Sequence, residues 1–165
     1  MAWLVLPADL RARLAAQGAA LEIGCGAGLS CLALAQACAG LTVTGHDRDP
    51  GAIARARALG EAAGLGHRLS FEVNDSRKLP RAAFDLVTTM ALRDGVDLDL
   101  CLNGIRNALR PEGCCLWLPP VPSDRRLGPP LDLAGSALVQ AARRAGFSRF
   151  LPVPGQAAGL YELRR

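Results

Sequence analysis

The stretch LEIGCGAGLS, Leu21 to Ser30, constrains this chain more than any other part of it. Leu21–Ile23 close a short apolar run. Gly24, Gly26 and Gly28 then alternate with other residues, and an alanine- and leucine-rich helical pattern follows. A strand, a glycine-rich turn and a helix N-terminus together make a site for a nucleotide or an anion. Glycine lets the backbone approach a ligand closely, and the helix end presents unpaired N–H groups. The dinucleotide fingerprint asks for G-x-G-x-x-G, whereas here the spacing is G-x-G-x-G and Leu29 stands where the third dinucleotide glycine belongs. Glu22 lies inside the strand, where a carboxylate is costly unless it faces a polar ligand. A ligand with a positive centre, an ammonium or a sulfonium, suits Glu22 better than a pyrophosphate.

The rest of the chain alternates short β-like runs with helical stretches, the pattern of a parallel α/β sheet. ADLRARLAAQ reads as an opening helix, ALEIG as strand one and GLSCLALAQACA as a buried helix. LTVTGHD is strand two, with a helix from Pro50 through GAIARARALGEAAG, and RLSFEVND is strand three. FDLVTTM is strand four, DLDLCLNGIRNALRPEG a helix ending in a Pro-Gly turn, and CCLWLP strand five. A proline-rich, charged loop spans residues 119–130, LDLAGSALVQAARRAG is a helix closed by Gly146, and the final segments FSRFLPVP and AGLYELRR pair as two strands. We read residues 1–165 as one domain, with a short N-terminal segment over residues 1–18.

Composition narrows the function classes. With 165 residues, half of them hydrophobic, the chain can bury a core and is not globally disordered. No apolar run is long enough to span a bilayer, and MAWLVLPADL lacks the basic and apolar regions of a signal peptide. A cytoplasmic location is therefore expected, with the six cysteines reduced and mostly buried. No CxxC pair and only two histidines argue against a metal site. The net charge of +4 comes from scattered arginines, with Lys78 the only lysine, so no nucleic-acid track is expected.

Two further carboxylates sharpen the reading of the glycine loop. Asp47 ends strand two at the distance from the loop where a ribose-binding acid is expected, and Asp75 ends strand three. With Glu22 they would line the carboxyl edge of one parallel sheet, where open α/β sheets bind ligands. Three acids without a phosphate-binding lysine point to a cationic, phosphate-free nucleoside.

LEIGCGAG, VTGHDRDP, FEVNDSRKLP, FDLVTTM and ALRPEG resemble, in order, the motifs of class I S-adenosylmethionine-dependent methyltransferases. The resemblance runs from about Leu21 to the C-terminus. It implies a three-layer, Rossmann-like α/β sandwich with a seven-stranded, mostly parallel sheet and an antiparallel last strand. It also implies S-adenosylmethionine as cofactor. Gly24, Cys25, Gly26 and Gly28 would wrap its methionine and ribose portions, beside Glu22. Asp47, followed by Arg48, would take the ribose hydroxyls, and Asp75 with Ser76 the adenine. MALRDGVDLDLCLNGIRNALRPEG and the C-terminal segment are similar to the ubiquinone/menaquinone biosynthesis C-methyltransferases. By that match Thr89 would touch the cofactor and Arg93 would act on the substrate side. Ala91, Asp94 and Ala27 depart from the family's usual glycine, asparagine and threonine. The family's long insert after strand five is reduced here to the proline-rich loop.

Methyl transfer from a sulfonium is an in-line displacement, so alignment and desolvation do much of the work, and an electron-rich phenol, thiolate or carbanion does not always need a strong base. The expected acceptor is a small, quinol-like or lipophilic molecule. No Asn/Asp-Pro-Pro-aromatic run follows strand four, which argues against methylation of DNA amino groups or glutamine. The rival readings are a methyltransferase-like module that binds the cofactor without catalysis, a chain that completes its acceptor pocket as a homodimer or with a partner subunit, a thiol or metalloid methyltransferase, and a NAD-dependent dehydrogenase.

Overall fold

Seven strands form one sheet in the order β3-β2-β1-β4-β5-β7-β6. In the computed structural model these are β1 (Ala19–Ile23), β2 (Thr42–Asp47), β3 (Leu69–Val73), β4 (Phe84–Met90), β5 (Leu109–Leu118), β6 (Arg149–Pro152) and β7 (Tyr161–Arg164). Five helices flank them: α1 (Ala8–Gln17), α2 (Leu29–Ala37), α3 (Pro50–Ala62), α4 (Leu98–Ala108) and α5 (Ala137–Arg144). The structure describes residue 6 and residues 8–75, 78–90, 97–118, 137–152 and 161–164. Strands β1 to β5 pair in parallel, and β7 runs antiparallel to both β5 and β6. The expected three-layer, Rossmann-like α/β architecture is therefore the observed one, down to the reversed last strand.

Two apolar clusters hold the layers together. Leu10, Leu14, Leu34, Ile53 and Ala56 from α1, α2 and α3 pack with Val43, Phe71 and Leu86 on one face of the sheet. Leu102, Ile105, Leu138 and Ala141 from α4 and α5 pack with Leu21, Val87, Trp117 and Leu163 on the other. A central strand covered on both faces reads as a nearly continuous apolar run, as AALEI does. Glu22 is the one charged residue in that run, and it is fully buried.

Local chemistry sets most element ends. Asp49 caps α3 by accepting from Gly51 N at 2.8 Å, with Pro50 at the first helical position. Asp97 caps α4 through Leu100 N at 3.0 Å. The C-terminal end of α2 is closed from a distance. Arg68, just before β3, donates through Nη1 to the carbonyls of Ala35, Cys38 and Leu41 at 2.8, 3.1 and 3.2 Å. Gly146, at φ 87°, ends α5 as expected.

One boundary differs from the sequence reading. The fourth helix does not run to a Pro-Gly turn but stops at Ala108, and Leu109–Gly113 belong to β5. Leu109 pairs with Phe84 and Cys114 with Leu86, and the register slips between them. Pro111 falls within this irregular segment, where its missing N–H breaks no regular ladder. Asp85 braces the same corner, accepting from Ala19 N at 2.9 Å and from Arg110 Nη1 at 2.6 Å. The expected loop at residues 119–130 lies outside the described residues.

Candidate functional site

Strand order reverses between β1 and its two neighbours, β2 on one side and β4 on the other, and ligands of open α/β sheets bind at the carboxyl edge of such a switch point. The glycine loop occupies that edge. Gly24, Gly26 and Gly28 all have positive φ, at 78°, 53° and 78°. The loop is held from β2: the His46 carbonyl accepts from Gly24 N at 2.8 Å and from Cys25 N at 3.0 Å. Asp47 Oδ2 accepts from Gly26 N at 2.8 Å, and its Oδ1 accepts from Asp49 N at 2.9 Å. A Cβ added at Gly26 would meet nothing within 4 Å, so the loop is open on its outer side. Gly28 is the N-cap of α2 and supplies no side-chain cap, which leaves the first N–H groups of that helix to other acceptors.

Beside the loop lies a groove of about 430 Å³, lined by Arg48, Val73, Asn74 and Asp75. The Asp47 carbonyl accepts from Asn74 N at 2.9 Å, which brings the exit of β3 against the end of β2. Val73 is 53% exposed, an apolar wall without a cover. The structure thus gathers Gly24, Cys25, Gly26, Gly28, Asp47, Arg48 and Asp75 along one edge. Ser76 and Arg93 lie outside the described residues.

Glu22 and Thr89 sit deeper. Glu22 is 0% exposed and accepts from Ser30 Oγ at one oxygen and from Cys31 Sγ, at 2.9 Å, at the other. Burial pushes its carboxyl above the usual range, while the bonds from Cys31 and Ser30 oppose that rise. Thr89 is also 0% exposed, at the end of β4, and its hydroxyl has no hydrogen-bond partner among the described residues. A buried, unpaired hydroxyl is uncommon in a native chain, and here it lies one strand from the glycine loop.

The sequence assigns His46 a structural place and Cys31 a place in the core, and marks neither Ser30 nor Thr88. The contacts of His46, Ser30 and Cys31 run across β1, β2 and α2, for which no short motif exists. His46 is buried, with Nε2 3.5 Å from Glu72 Oε2. Desolvation lowers its pKa below the ordinary 6.5, and Glu72 only partly opposes this. Folding therefore excludes a proton from His46. The stability this contributes is complete above the unfolded pKa and is lost as pH falls through the folded one. Denaturant unfolding of the wild type and of His46→Gln between about pH 8 and pH 5 should show a steeper acid loss in the wild type. Parallel profiles would remove His46 as the source.

Cys101 and Cys114 are poor nucleophiles in their buried places. Burial pushes the Cys114 thiol up to about 12 and Cys101 to about 11. Among the described residues no group of three or more His, Cys, Asp or Glu could hold a metal ion. No described helix is long and apolar enough to cross a membrane.

Comparison with known proteins agrees with this fold. A family described as a methyltransferase domain matches residues 20–113, more than half of the chain. The solved structure of the 4+2 cyclase SpnF aligns with a TM-score of 0.68 at 28% identity, over 87% of this chain and 57% of its own. A SAM-dependent methyltransferase from Aquifex aeolicus aligns at 0.69 and 18% identity, over 89% of this chain and 80% of its own. A geranyl diphosphate C-methyltransferase from Streptomyces coelicolor was solved with Mg2+, geranyl-S-thiolodiphosphate and S-adenosyl-L-homocysteine. It aligns at 0.59 and 14% identity, over 67% of this chain and 42% of its own. The last two likenesses show the fold. The chain spans about half the length of the cyclase and of the geranyl diphosphate enzyme. No match is found among curated proteins.

Proposed function

The chain belongs to the methyltransferase domain family, and on that premise we propose that it transfers the methyl group of S-adenosylmethionine to a small, quinol-like or lipophilic acceptor. One observation carries the reading. The positive-φ glycine loop, the Asp47 carboxylate and the groove of Arg48, Val73, Asn74 and Asp75 share one carboxyl edge of the sheet. That set fits an adenosyl amino acid. Asp47 is only partly buried and has acceptor capacity beyond its bonds to Gly26 and Asp49, as two ribose hydroxyls require. The groove offers Val73 as an apolar wall and polar groups at Asn74 and Asp75 for a purine. The open side of Gly26 and the uncapped start of α2 suit the amino-acid end, with its carboxylate toward the helix N–H groups.

When bound, the cofactor supplies an electrophilic methyl group on a positive sulfur. The chain's part is to bind, orient and exclude water. Asp47 and the loop fix the ribose, and Asp75 and Ser76 select the base. Arg93 is proposed for the acceptor side, on the likeness of the segment after strand four to quinone-methylating enzymes. That segment is also what supports a quinol-like acceptor.

Calorimetric titration with S-adenosylmethionine, S-adenosylhomocysteine and NAD in parallel tests the proposal. Binding of the two adenosyl compounds and not NAD is expected, followed by methylation of a hydroquinone in a radiolabel assay. Binding of NAD alone would overturn the cofactor assignment. Binding of the adenosyl compounds without turnover on any acceptor would leave a binding module.

A further inference from the structure

Glu22 cannot serve a ligand in the way its position first suggests. Its carboxylate has no exposed surface, and both oxygens already accept, one from Ser30 Oγ and one from Cys31 Sγ. Those two donors stand in the first turn of α2, and Glu22 is the penultimate residue of β1. The loop from Gly24 to Gly28 is the only chain between them. A carboxylate that reaches across the base of a loop to the next helix closes that loop into a ring.

Resting on the function just proposed, we propose that Glu22, Ser30 and Cys31 are positioning residues that hold the glycine loop in its ligand-ready shape without touching the ligand. Three observations converge on this. The loop's other side is already fastened to β2, through the His46 carbonyl and the Asp47 carboxylate, so the Glu22 unit completes its support. The N-cap of α2 is a left-handed glycine with no side-chain cap, so it does not steady the first turn, and the Ser30 and Cys31 side chains tie that turn to Glu22 on β1 instead. A buried carboxyl also carries a desolvation cost, visible in its raised pKa, and two hydrogen bonds offset that cost only in part. Stability alone gives no reason for such a residue among Leu21, Ile23 and the apolar face of α2. Placement of the loop does.

Thr88 supplies the control. It pairs in register with Glu22 on the neighbouring strand, it is buried, and its hydroxyl has no partner among the described residues. It therefore shares the location of the unit but not its bonds.

The test uses the full chain and two readouts. Hydrogen exchange at Gly24, Cys25 and Gly26, whose N–H groups bond to His46 and Asp47, reports loop order without any ligand. Titration with S-adenosylhomocysteine reports its consequence. Cys31→Ala is expected to speed exchange at those amides about tenfold and to weaken binding by roughly three- to tenfold, the usual scale for one lost hydrogen bond. Cys31→Ser, which restores a donor, should recover most of both, and Thr88→Val should change neither. Ser30→Ala provides the same comparison if Cys31→Ala does not fold. Equal exchange and affinity in wild type and Cys31→Ala, or no recovery in Cys31→Ser, would overturn the positioning role. Failure of the wild type to bind S-adenosylhomocysteine would instead overturn the proposed function, and the exchange data would still decide the role of the unit.

Discussion

Gly28→Val is expected to destabilise the protein by roughly 2–5 kcal/mol, from left-handed strain of about 1–2 kcal/mol plus overpacking of about 1–3 kcal/mol. Gly28 sits at φ +78°, and a Cβ there would lie 2.9 Å from Ala56 Cβ and from two ring atoms of Phe71. Ala56 is on α3 and Phe71 on β3, so neither clash can be relieved by moving a flexible side-chain end. The loop, α2, α3 and β3 meet at this point. For a chain of this size the loss corresponds to a fall in melting temperature of roughly 10 °C. Gly26→Ala is the matched comparison. It bears similar left-handed strain at φ +53° but meets nothing within 4 Å. Its cost should be only about 1–2 kcal/mol, with ligand binding more affected than folding. Thermal unfolding of both variants checks this, and equal melting temperatures would show that the Gly28 contact with Phe71 is not as tight as described.

Asp47→Ala has the largest expected effect on the site. The carboxylate accepts from Gly26 N and from Asp49 N, so its removal frees the middle of the glycine loop and the N-terminal approach to α3 at once. The proposed ribose contacts are lost with it. Leaving such polar groups unpaired costs about 1–3 kcal/mol, which is a loss of affinity for S-adenosylhomocysteine of roughly five- to 150-fold. Calorimetric titration of the folded variant measures it. Unchanged affinity would take Asp47 out of the ligand site and leave it a loop brace. The Gly26 bond makes the two roles separable. Asp47→Asn keeps one acceptor oxygen and should retain the brace better than alanine does, while a ribose site that needs two acceptors would still be weakened.

The legible parts of this fold were those written in neighbouring residues. The alternation of strands and helices, the cap at Asp49 before Pro50, and the stop at Gly146 rest on spacings of a few residues. A chain segment expresses these before it meets any other. The glycine spacing belongs to the same class, since three positive φ values in five residues exclude nearly every other residue type. The helix that was expected to run through LRPEG shows the opposite case. Local pattern favours a helical end and a turn there, but pairing of Leu109 with Phe84 and the brace from Asp85 to Arg110 draw the segment into β5. No helix propensity competes with a place in a central ladder.

The sequence by itself thus determined the order of elements, the positive-φ glycine loop and the acid at the end of the second strand. Each of these depends on backbone conformation at adjacent positions and on the two periods of strand and helix. Only the tertiary structure decided that Glu22 is enclosed by Ser30 and Cys31, that the carbonyl of His46 anchors the loop, and that β7 inserts between β5 and β6. Those outcomes hang on which surfaces meet when the layers close. A buried carboxylate finds its donors, and a late strand its neighbours, only once the sheet and both helical layers are in contact.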